Sequence, residues 1–366
     1  MKKFLGFVLF LSLMGCSETT IVDKESKDLA VKADEVVLGK GLDEEVVPAF
    51  LRKKSEPIEI IFVGDVMMEM SLKQTINSKG VDYPFEFVRD EILGADYSVA
   101  NLETAITTSN NAFAKQYNFK ANPIKLEGLA NAGFDLVSLA NNHTMDYREE
   151  GLLDTIKYLR EYGIEFIGAG KNSEEAYASH EVVLNEQKIK FLAFSRVLPD
   201  VTWYVEEDKP GIASGYQEER VIDIIEKEKL DTDYVLVYMH WGIERANRPE
   251  NYQREYARKM IDAGADAVIG AHPHVLQGFE FYDGKPIAYS LGNFLFPDYI
   301  SGPTAETGLL SIIIEKEQVK MRFNPFYIEK DVIVDKGEEY RERLFNYLEE
   351  ISYDIFIEDG EIKPVN

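Results

Sequence analysis

Residues 264–278, GADAVIGAHPHVLQG, form the stretch from which the architecture of this chain can be worked out. Their apolar run, residues 267–269, has the length and β-branched content of a buried strand, and Gly270 ends it. The polar residues after it predict a turn that carries His272 and His274 at the carboxyl end of this strand. Ligands of open α/β sheets bind at that edge, and two such histidines can serve one metal ion or two neighbouring ions. A surface loop with two solvated histidines is the alternative.

Strand and helix patterns alternate along the rest of the chain. Apolar runs predict strands at residues 58–63, 97–100, 135–139, 164–167, 182–184, 189–194, 234–239, 279–282, 286–290, 308–315 and 319–327. Helical patterns, several closed by a glycine, cover residues 85–93, 126–132, 149–162, 218–229, 252–263 and 338–351. This alternation predicts an α/β sandwich with some antiparallel strands at one side.

The composition argues against one class of partner. The chain has 366 residues and a net charge of −25, and 45% of its residues are hydrophobic, which is enough for a sizeable core. Nucleic-acid binding depends on Lys and Arg side chains that neutralise phosphates, so we expect no nucleic acid. An anionic substrate needs basic residues near the site. The basic residues close to the motifs below, each of which also fits a solvated surface, are Lys115, Lys120, Arg196, Arg245 and Arg248.

The amino-terminal residues predict export and lipidation. Two lysines precede an apolar segment, residues 4–14, which is too short to span a bilayer. Residues 13–16, Leu-Met-Gly-Cys, resemble a lipobox, although Met14 is not the usual small residue, and Cys16 is the single cysteine of the chain. We therefore expect residues 1–15 to be a signal peptide and Cys16 to carry a lipid anchor on the outer face of a membrane. An uncleaved anchor or an ordinary secreted protein is the alternative.

The remaining chain divides into three parts. Residues 16–56 are polar and charged with little periodicity, which is typical of a mobile spacer. Residues 57–330 carry the strand and helix alternation and form the predicted main domain. Residues 331–366 contain a helical stretch followed by acidic residues, and we interpret them as an extension.

Five predicted strands end in residues that can bind metal ions. These residues are Asp65, Glu103, Asn142 with His143, His240, and His272 with His274. Four of the five histidines therefore fall at strand ends, and we interpret the fifth, His180, as structural or solvated. Because the ends of parallel strands gather along one edge of a sheet, the side chains can converge into a metal site.

The mixture of imidazole, carboxylate and amide ligands suits Zn, Mn or Fe better than Ca. The single cysteine leaves no thiolate for the site. Gly64 before Asp65 leaves room for the carboxylate to bridge two ions. Two ions about 3.5–4 Å apart can activate a water molecule and polarise a substrate oxygen.

Six motifs resemble those of one known family. They are Gly64-Asp65-Val66-Met67, Asn101-Leu102-Glu103, Ala140-Asn141-Asn142-His143, His240-Trp241-Gly242, Gly270-Ala271-His272-Pro273-His274 and Tyr289-Ser290-Leu291-Gly292-Asn293-Phe294. In this order they are similar to the motifs of the CapA family of capsule or poly-γ-glutamate biosynthesis proteins, over about residues 57–328. The fold of that family resembles calcineurin-like metallophosphatases, so the resemblance implies a four-layer α/β/β/α sandwich. Lipid-anchored and membrane-anchored members are common in the family, which agrees with Cys16.

The resemblance also implies roles for the site residues. Asp65 matches the bridging aspartate, Glu103 stands at the second acidic motif, and Asn142 is a ligand. His143 matches the general acid that protonates the leaving group, and the remaining metal ligands are His240, His272 and His274. Met67 departs from the metallophosphatase pattern, which has a histidine there, and Glu103 stands where the metallophosphatases have an aspartate after glycine. The missing imidazole leaves either one firm ion or a weaker second one.

The resulting hypothesis is a lipid-anchored, extracytoplasmic protein of capsule or poly-γ-glutamate synthesis and export. As a metal-dependent hydrolase it would cleave an amide or phosphate ester in an anionic polymer or its carrier, with Asp65 and His240 holding the reactive centre and His143 as the acid–base group. Asn293, at a strand end after a glycine, and Asn101 would support the ligands. Two alternatives use the same residues. One is a non-catalytic polymer-binding subunit of a membrane synthase, and the other is a peptide epimerase with His143 or His240 as the base.

Overall fold

The computed structural model describes residues 56–365. The expected signal peptide, Cys16 and all of the predicted spacer before residue 56 therefore lie outside the described residues. The described residues belong to one compact unit. Within residues 56–365, none of the helices has both the length and the apolar character that crossing a membrane requires.

The strands and helices follow one another in the alternating order that the sequence predicts. The strands are β1 Ile58–Val66, β2 Tyr97–Leu102, β3 Ala105–Ile106, β4 Lys120–Ala121, β5 Leu136–Ser138, β6 Glu165–Ile167, β7 Ala169–Gly170, β8 His180–Leu184, β9 Gln187–Ser195, β10 Gly211–Ile212, β11 Tyr234–His240, β12 Ala267–Ala271, β13 Phe279–Tyr282, β14 Lys285–Ala288, β15 Asn293–Leu295, β16 Glu306–Glu315, β17 Gln318–Glu329, β18 Val332–Val334, β19 Ile355–Glu358 and β20 Glu361–Pro364. The α-helices are α1 Ser71–Lys79, α2 Arg89–Gly94, α3 Leu126–Ala132, α4 Arg148–Tyr162, α5 Ser173–Ala176, α6 Glu218–Lys229, α7 Asn251–Asp262 and α8 Glu338–Ile351.

Ten of these strands form a large mixed sheet. Its order is β19-β20-β17-β16-β1-β2-β5-β6, with β15 paired to β1 and β18 paired to β17. The strands β1, β2, β5 and β6 are parallel, whereas β16, β17, β20 and β19 are antiparallel. The antiparallel strands are thus confined to one side of the sheet, as the sequence predicts.

A smaller sheet of six strands, in the order β13-β14-β12-β11-β9-β8, faces the large one. Its four central strands are parallel and its two edge strands are antiparallel. Phe62 of β1 packs against Phe191 of β9 and Tyr238 of β11, with 6.2 Å between ring centroids in each pair. The Tyr238 hydroxyl also donates a hydrogen bond of 2.6 Å to the carbonyl of Val63. The two sheets are therefore directly packed on each other.

Helices cover the outer faces of both sheets and complete four layers. Alternate residues of β11 point to opposite faces, so Leu236 and Tyr238 belong to the core that the two sheets share. Val235, Val237 and Met239 instead pack in a second core with residues of α6 and α7. Residues of α1–α4 pack with the large sheet in the first core. The predicted α/β sandwich is confirmed, in the order helices, large sheet, small sheet, helices.

Two local predictions differ from the structure. The single helix expected at residues 85–93 is instead a 3-10 turn at Tyr83–Phe85 followed by α2, because Val88 has a φ of −120° that interrupts helical geometry. Helix α1 was not predicted, since its apolar face consists of Leu72 and Ile76 alone.

The residues after 331 are integrated with the large sheet. Helix α8 has the bounds that its periodicity predicts, and it buries Leu344, Leu348 and Ile351. The segment that follows forms the hairpin β19–β20, in which Ile362 pairs with Met321 of β17. These residues therefore extend the antiparallel side of the large sheet.

Candidate metal centre

Strand register brings the polar strand ends of the large sheet together. Asp65 on β1 is paired with Asn101 on β2 and with Asn293 on β15. In the small sheet, His240 at the end of β11 is paired with Ala271, the residue before His272. The carboxyl ends of the two parallel strand sets therefore meet at one place, as expected for α/β sheets.

A glycine lies just before the ligand residues in each sheet, for a steric reason. A Cβ atom on Gly64 would lie 2.0 Å from the carbonyl oxygen of Gly292, and one on Gly270 would lie 2.0 Å from that of Tyr289. Any larger residue would separate β1 from the segment leading into β15, or β12 from the end of β14. Backbone packing therefore requires the glycine before Asp65, whereas the sequence analysis attributed this glycine to the space that the Asp65 carboxylate needs.

Three residues present ligand atoms to one point. One ligand atom each from Glu103, His272 and His274 lies within 4.8 Å of the other two. Both carboxylate oxygens of Glu103 and the Nδ1 of His272 are buried, and none has a hydrogen-bond partner among the described residues. A buried carboxylate without a partner is costly to maintain, so these atoms fit a bound cation.

Asp65 holds the histidine turn as well as facing this triad. Its Oδ1 accepts a hydrogen bond of 2.8 Å from Asn101 Nδ2, and its Oδ2 lies 3.2 Å from His274 Nδ1. The backbone N–H of His272 also donates to Oδ2 over 3.3 Å. Asn293 Oδ1 lies 2.9 Å from the same His274 nitrogen, and fixes the ring from the other side. Asn101 and Asn293 therefore each contact one of the candidate ligands.

His240 and Asn142 complete the group. The His240 Nε2 lies 2.6 Å from Asn142 Oδ1 and 3.6 Å from Glu103 Oε1, and the ring is fully buried. The ring centroids of His240 and His272 are 4.8 Å apart. All six residues proposed as ligands thus converge, although they come from five strand ends across both sheets.

His143 lies beside the triad and is oriented by two residues that the sequence analysis did not assign to it. Its Nδ1 is 2.8 Å from Asp146 Oδ2 and 3.3 Å from Lys115 Nζ, and Lys115 forms an ion pair with Asp146. Lys115 also donates a hydrogen bond of 2.7 Å to the carbonyl of Asn142. Asp146 follows His143 by three residues, a spacing that could have indicated the pair. Lys115 lies 28 residues before His143, and no local pattern links them.

The protonation states of the cluster follow from burial and charge. Burial lowers the pKa of His272 to about 3 and that of His240 well below its ordinary value, so both rings are neutral and able to bind a metal. Burial opposes the charged form of His274 as well, but the carboxylates of Glu103 and Asp65 outweigh it and raise its pKa to about 10. Burial, and then the charge of Asp65, raises the pKa of Glu103 well above its ordinary value. A divalent cation would favour the ionised carboxylate and remove this cost.

Met67 stands where the resemblance calls for another histidine. Its side chain is fully buried in an apolar cluster with Phe296, Ala305 and Ile328. That environment offers no ligand, so the residues present fit one ion better than two.

A cavity of about 730 Å³ opens beside His143 and His274. The described residues that line it are mostly apolar or aromatic, with few charges, namely Met70, Tyr117, Phe119, His143, Glu244, Arg245, His274, Asn293, Phe296, Tyr299, Ile300, Ser301 and Thr304. A pocket of this size next to convergent polar groups is a typical ligand site.

His180, the fifth histidine, lies away from the candidate metal centre. Its Nε2 is 2.7 Å from the Tyr97 hydroxyl, which gives it a structural role.

Comparisons with known proteins agree with these motifs. The model of the family described as bacterial capsule synthesis protein PGA_cap matches residues 59–298. The chain is 32% identical to the capsule biosynthesis protein CapA of Bacillus anthracis over 69% of this chain and 63% of that protein. It is 34% identical to the PGA biosynthesis protein CapA of Bacillus subtilis over 64% of this chain and 62% of that protein.

A further relative is a probable polyglutamine synthesis accessory protein of Mycobacterium tuberculosis, 28% identical over 71% of this chain and 72% of that protein. The chain spans less than two thirds of the length of the two CapA relatives. Together, the family match and these relatives confirm the resemblance that the six motifs indicate.

Proposed function

The chain belongs to the bacterial capsule synthesis protein family PGA_cap, and we propose that it acts in the synthesis or export of an anionic polymer of the poly-γ-glutamate type. The similarity to two relatives that are named as capsule or PGA biosynthesis proteins supports this proposal. We place the protein outside the cytoplasm, anchored to the membrane through a lipid on Cys16, where it can contact the polymer and membrane synthase subunits. The lipobox-like residues 13–16 support that location.

Within that process, the site is proposed to be a metal-dependent hydrolase centre. The observation that carries this proposal is the buried Glu103 carboxylate beside His272 and His274, whose two oxygens accept no hydrogen bond from any described residue. These three residues would hold a divalent ion such as Zn, Mn or Fe, with Asp65, Asn142 and His240 as further ligands. When bound, such an ion acts as a Lewis acid and lowers the pKa of water.

The chain's own residues supply the proton chemistry. His143 lines the cavity, and its Nδ1 is engaged by Asp146 and Lys115, which leaves Nε2 for a substrate. Burial lowers the pKa of His143, so its imidazole is neutral and donates its Nδ1 proton to Asp146. The Nε2 can then take a proton from the attacking water and give it to the leaving group of an amide or phosphate ester. Phe119, whose ring centroid is 4.5 Å from that of His143, shields the imidazole from water on one side.

A turnover assay with a matched pair of histidine variants tests this function. The purified full chain, loaded with Zn²⁺ or Mn²⁺, is given a pentamer of γ-linked glutamate or 4-nitrophenyl phosphate. We expect His143→Ala to reduce cleavage by about a hundredfold or more, since acid–base groups contribute about 10²–10⁴. The metal content should not change, because the ligand residues remain.

The control is His180→Ala, which removes a histidine outside the site and should leave turnover intact. No cleavage by the loaded wild type, or equal cleavage by His143→Ala, would contradict the hydrolase proposal. In cells, His143→Ala should fail to support polymer formation, and wild-type levels of polymer would contradict a catalytic role.

One observation favours a second candidate, a non-catalytic polymer-binding subunit. Met67 is packed in an apolar cluster, and Asp65 already accepts hydrogen bonds from Asn101 and His272. A site built this way could keep its shape without an ion. A wild-type chain that binds the pentamer but neither retains metal nor cleaves any substrate would establish this alternative.

A further inference from the structure

The cavity beside the candidate metal centre has two aromatic walls. Tyr117 and Phe119 form one wall, and Phe296, Tyr299 and Ile300 form the other. The Phe119 ring centroid lies 4.5 Å from that of His143, and the Phe296 ring centroid lies 5.1 Å from that of His274, so both walls begin at the site residues. Tyr117 and Tyr299 are each 58% exposed, at positions where a bound chain would cover them.

Two of the lining side chains can carry a positive charge, and one of them, His274, is already paired with Asp65. Among its described lining residues, Arg245 is the one lysine or arginine, and its guanidinium has no hydrogen bond or ion pair with any described residue. Lys115 is close by, but its ammonium is buried behind His143 and paired with Asp146. Arg245 is therefore the available partner for an anionic group.

The backbone holds Arg245 in place against the metal centre. Its N–H donates a hydrogen bond of 2.7 Å to the carbonyl of Pro273, between the two histidines of the turn. Its φ of +63° is unusual for a residue with a side chain, which indicates a conformation fixed by its surroundings. Burial raises the pKa of the Tyr299 hydroxyl to about 12, and Arg245 partly counteracts that shift, so its charge reaches the aromatic wall.

The charges around the cavity favour a substrate with one carboxylate. A divalent ion would balance Asp65 and Glu103 if both are ionised, while the adjacent Glu244 and Arg245 carry opposite charges. A dianionic phosphate ester would meet one guanidinium for its two charges, and Glu244 would repel it more strongly than a carboxylate, which carries one charge. A single carboxylate pairs with one guanidinium in the two-bond geometry that arginine prefers. Methylene groups of an amide-linked chain would then pack between the aromatic walls.

We propose that Arg245 determines specificity by binding one carboxylate of an amide-linked substrate that lies between the two aromatic walls. This inference rests on the proposed function, because it takes this cavity as the substrate site. It deepens that function by selecting a carboxylate-bearing amide over a phosphate ester.

Calorimetric binding to the full chain tests the inference without requiring turnover. The probes are a pentamer of γ-linked glutamate, the same pentamer with its α-carboxylates converted to amides, and 4-nitrophenyl phosphate. We expect the wild type to bind the acid pentamer about tenfold more tightly than the amidated one, as a charge-assisted pair allows. Arg245→Gln should abolish that preference, and Arg245→Lys should restore part of it.

Arg248→Gln is the matched control, three residues along the same segment. The Arg248 guanidinium donates to the carbonyl of Glu350, outside the cavity lining, so this variant should keep the wild-type preference. Equal affinity of wild type and Arg245→Gln for the acid pentamer would overturn the inference, as would tighter binding of the phosphate ester. Binding that depends on Arg245 without any cleavage would support the inference and contradict the hydrolase proposal. Cleavage that is unaffected by Arg245→Gln would contradict the inference and support the hydrolase proposal.

Discussion

The large sheet and the small sheet meet at the candidate metal centre with different kinds of side chain. The large sheet contributes oxygen atoms, from Asp65, Glu103 and Asn142. The small sheet contributes imidazole nitrogens, from His240, His272 and His274. His143 is the one histidine on the large-sheet side, and it is engaged by Asp146 and Lys115.

This division places the carboxylates on one side and the imidazoles on the other. Burial keeps the imidazoles of His240 and His272 neutral through a lowered pKa, whereas burial, and then the charge of Asp65, raises the pKa of Glu103. Neither sheet alone offers the mixed donor set that borderline divalent ions prefer. The complete donor set therefore exists only where the two sheets meet. The oxygen half (Asp65, Glu103 and Asn142) and the nitrogen half (His240, His272 and His274) can each be removed separately by mutation.

Removing the nitrogen half should have the largest effect. In the full chain, His272→Ala combined with His274→Ala should reduce bound Zn²⁺ from about one ion to less than about a tenth per chain, because metal affinity depends on these deprotonated ligands. Elemental analysis after dialysis measures the ratio. His180→Ala removes a histidine bonded to Tyr97 and should leave the metal content unchanged. A double variant that retains its ion would show that the oxygen half is sufficient.

The next largest effect is expected from substitutions that force apart the strands next to each half. Gly64→Ala in the large sheet and Gly270→Ala in the small sheet each place a methyl group 2.0 Å from a backbone oxygen. We expect each change to lower the free energy of unfolding by about 3 kcal/mol or more, since overpacking without room to relax is costly. Urea denaturation measures the loss.

Gly94→Ala is the control for these two glycines, because a Cβ there has no neighbour within 4 Å. Its effect should be small and on the stabilising side if any, as for other helical glycines. If Gly64→Ala and Gly94→Ala unfold at the same urea concentration, the close approach of β1 to Gly292 does not limit stability.

The sequence predicts the two halves of the site well, for a physical reason. Asp65, His240 and His272 each follow an apolar run, and parallel strands place such positions on one edge whatever the loops between them do. The bounds of α6 and α8 are also predicted to the residue, because their apolar residues recur with helical spacing.

Other features depend on contacts between distant residues, which no local pattern encodes. The pairing of Lys115 with Asp146 and the approach of Gly64 to Gly292 are of this kind. The hairpin β19–β20 is also missed, because its short, acidic strands gain their order from pairing with β17. The division into oxygen and nitrogen halves likewise appears only when the register of both sheets is known.

The smallest expected effect concerns Lys125, a buried cation at the start of α3. Lys125 is 3% exposed and donates a hydrogen bond of 2.5 Å to the carbonyl of Met68, and burial lowers its pKa to about 8. Between pH 8 and about 10.4 the unfolded chain holds a proton that the native chain has released, so stability rises with pH across that window. Relative to Lys125→Met, the wild type should gain about 2 kcal/mol between pH 7.5 and 10.

Urea denaturation of both proteins at several pH values gives this difference, in which the titration of other groups cancels. Lys171→Met, at an exposed position, is the control. Its free energy of unfolding should differ from that of the wild type by the same amount at every pH, because the Lys171 side chain is solvated in both states. A constant difference between wild type and Lys125→Met would mean that Lys125 is not desolvated.

The position of β1 within the large sheet affects the order of folding. This strand pairs with β2 on one side and with β16 on the other, and the β16 residues lie roughly 250 positions further along the chain. Such long-range pairing forms slowly, because the intervening chain must be ordered first. Strand β1, which carries Asp65, therefore lacks its pairing with β16 until β16 has been synthesised. The protein would thus complete the candidate metal centre in the compartment where the chain finishes folding, where only the metal ions present in that compartment could bind.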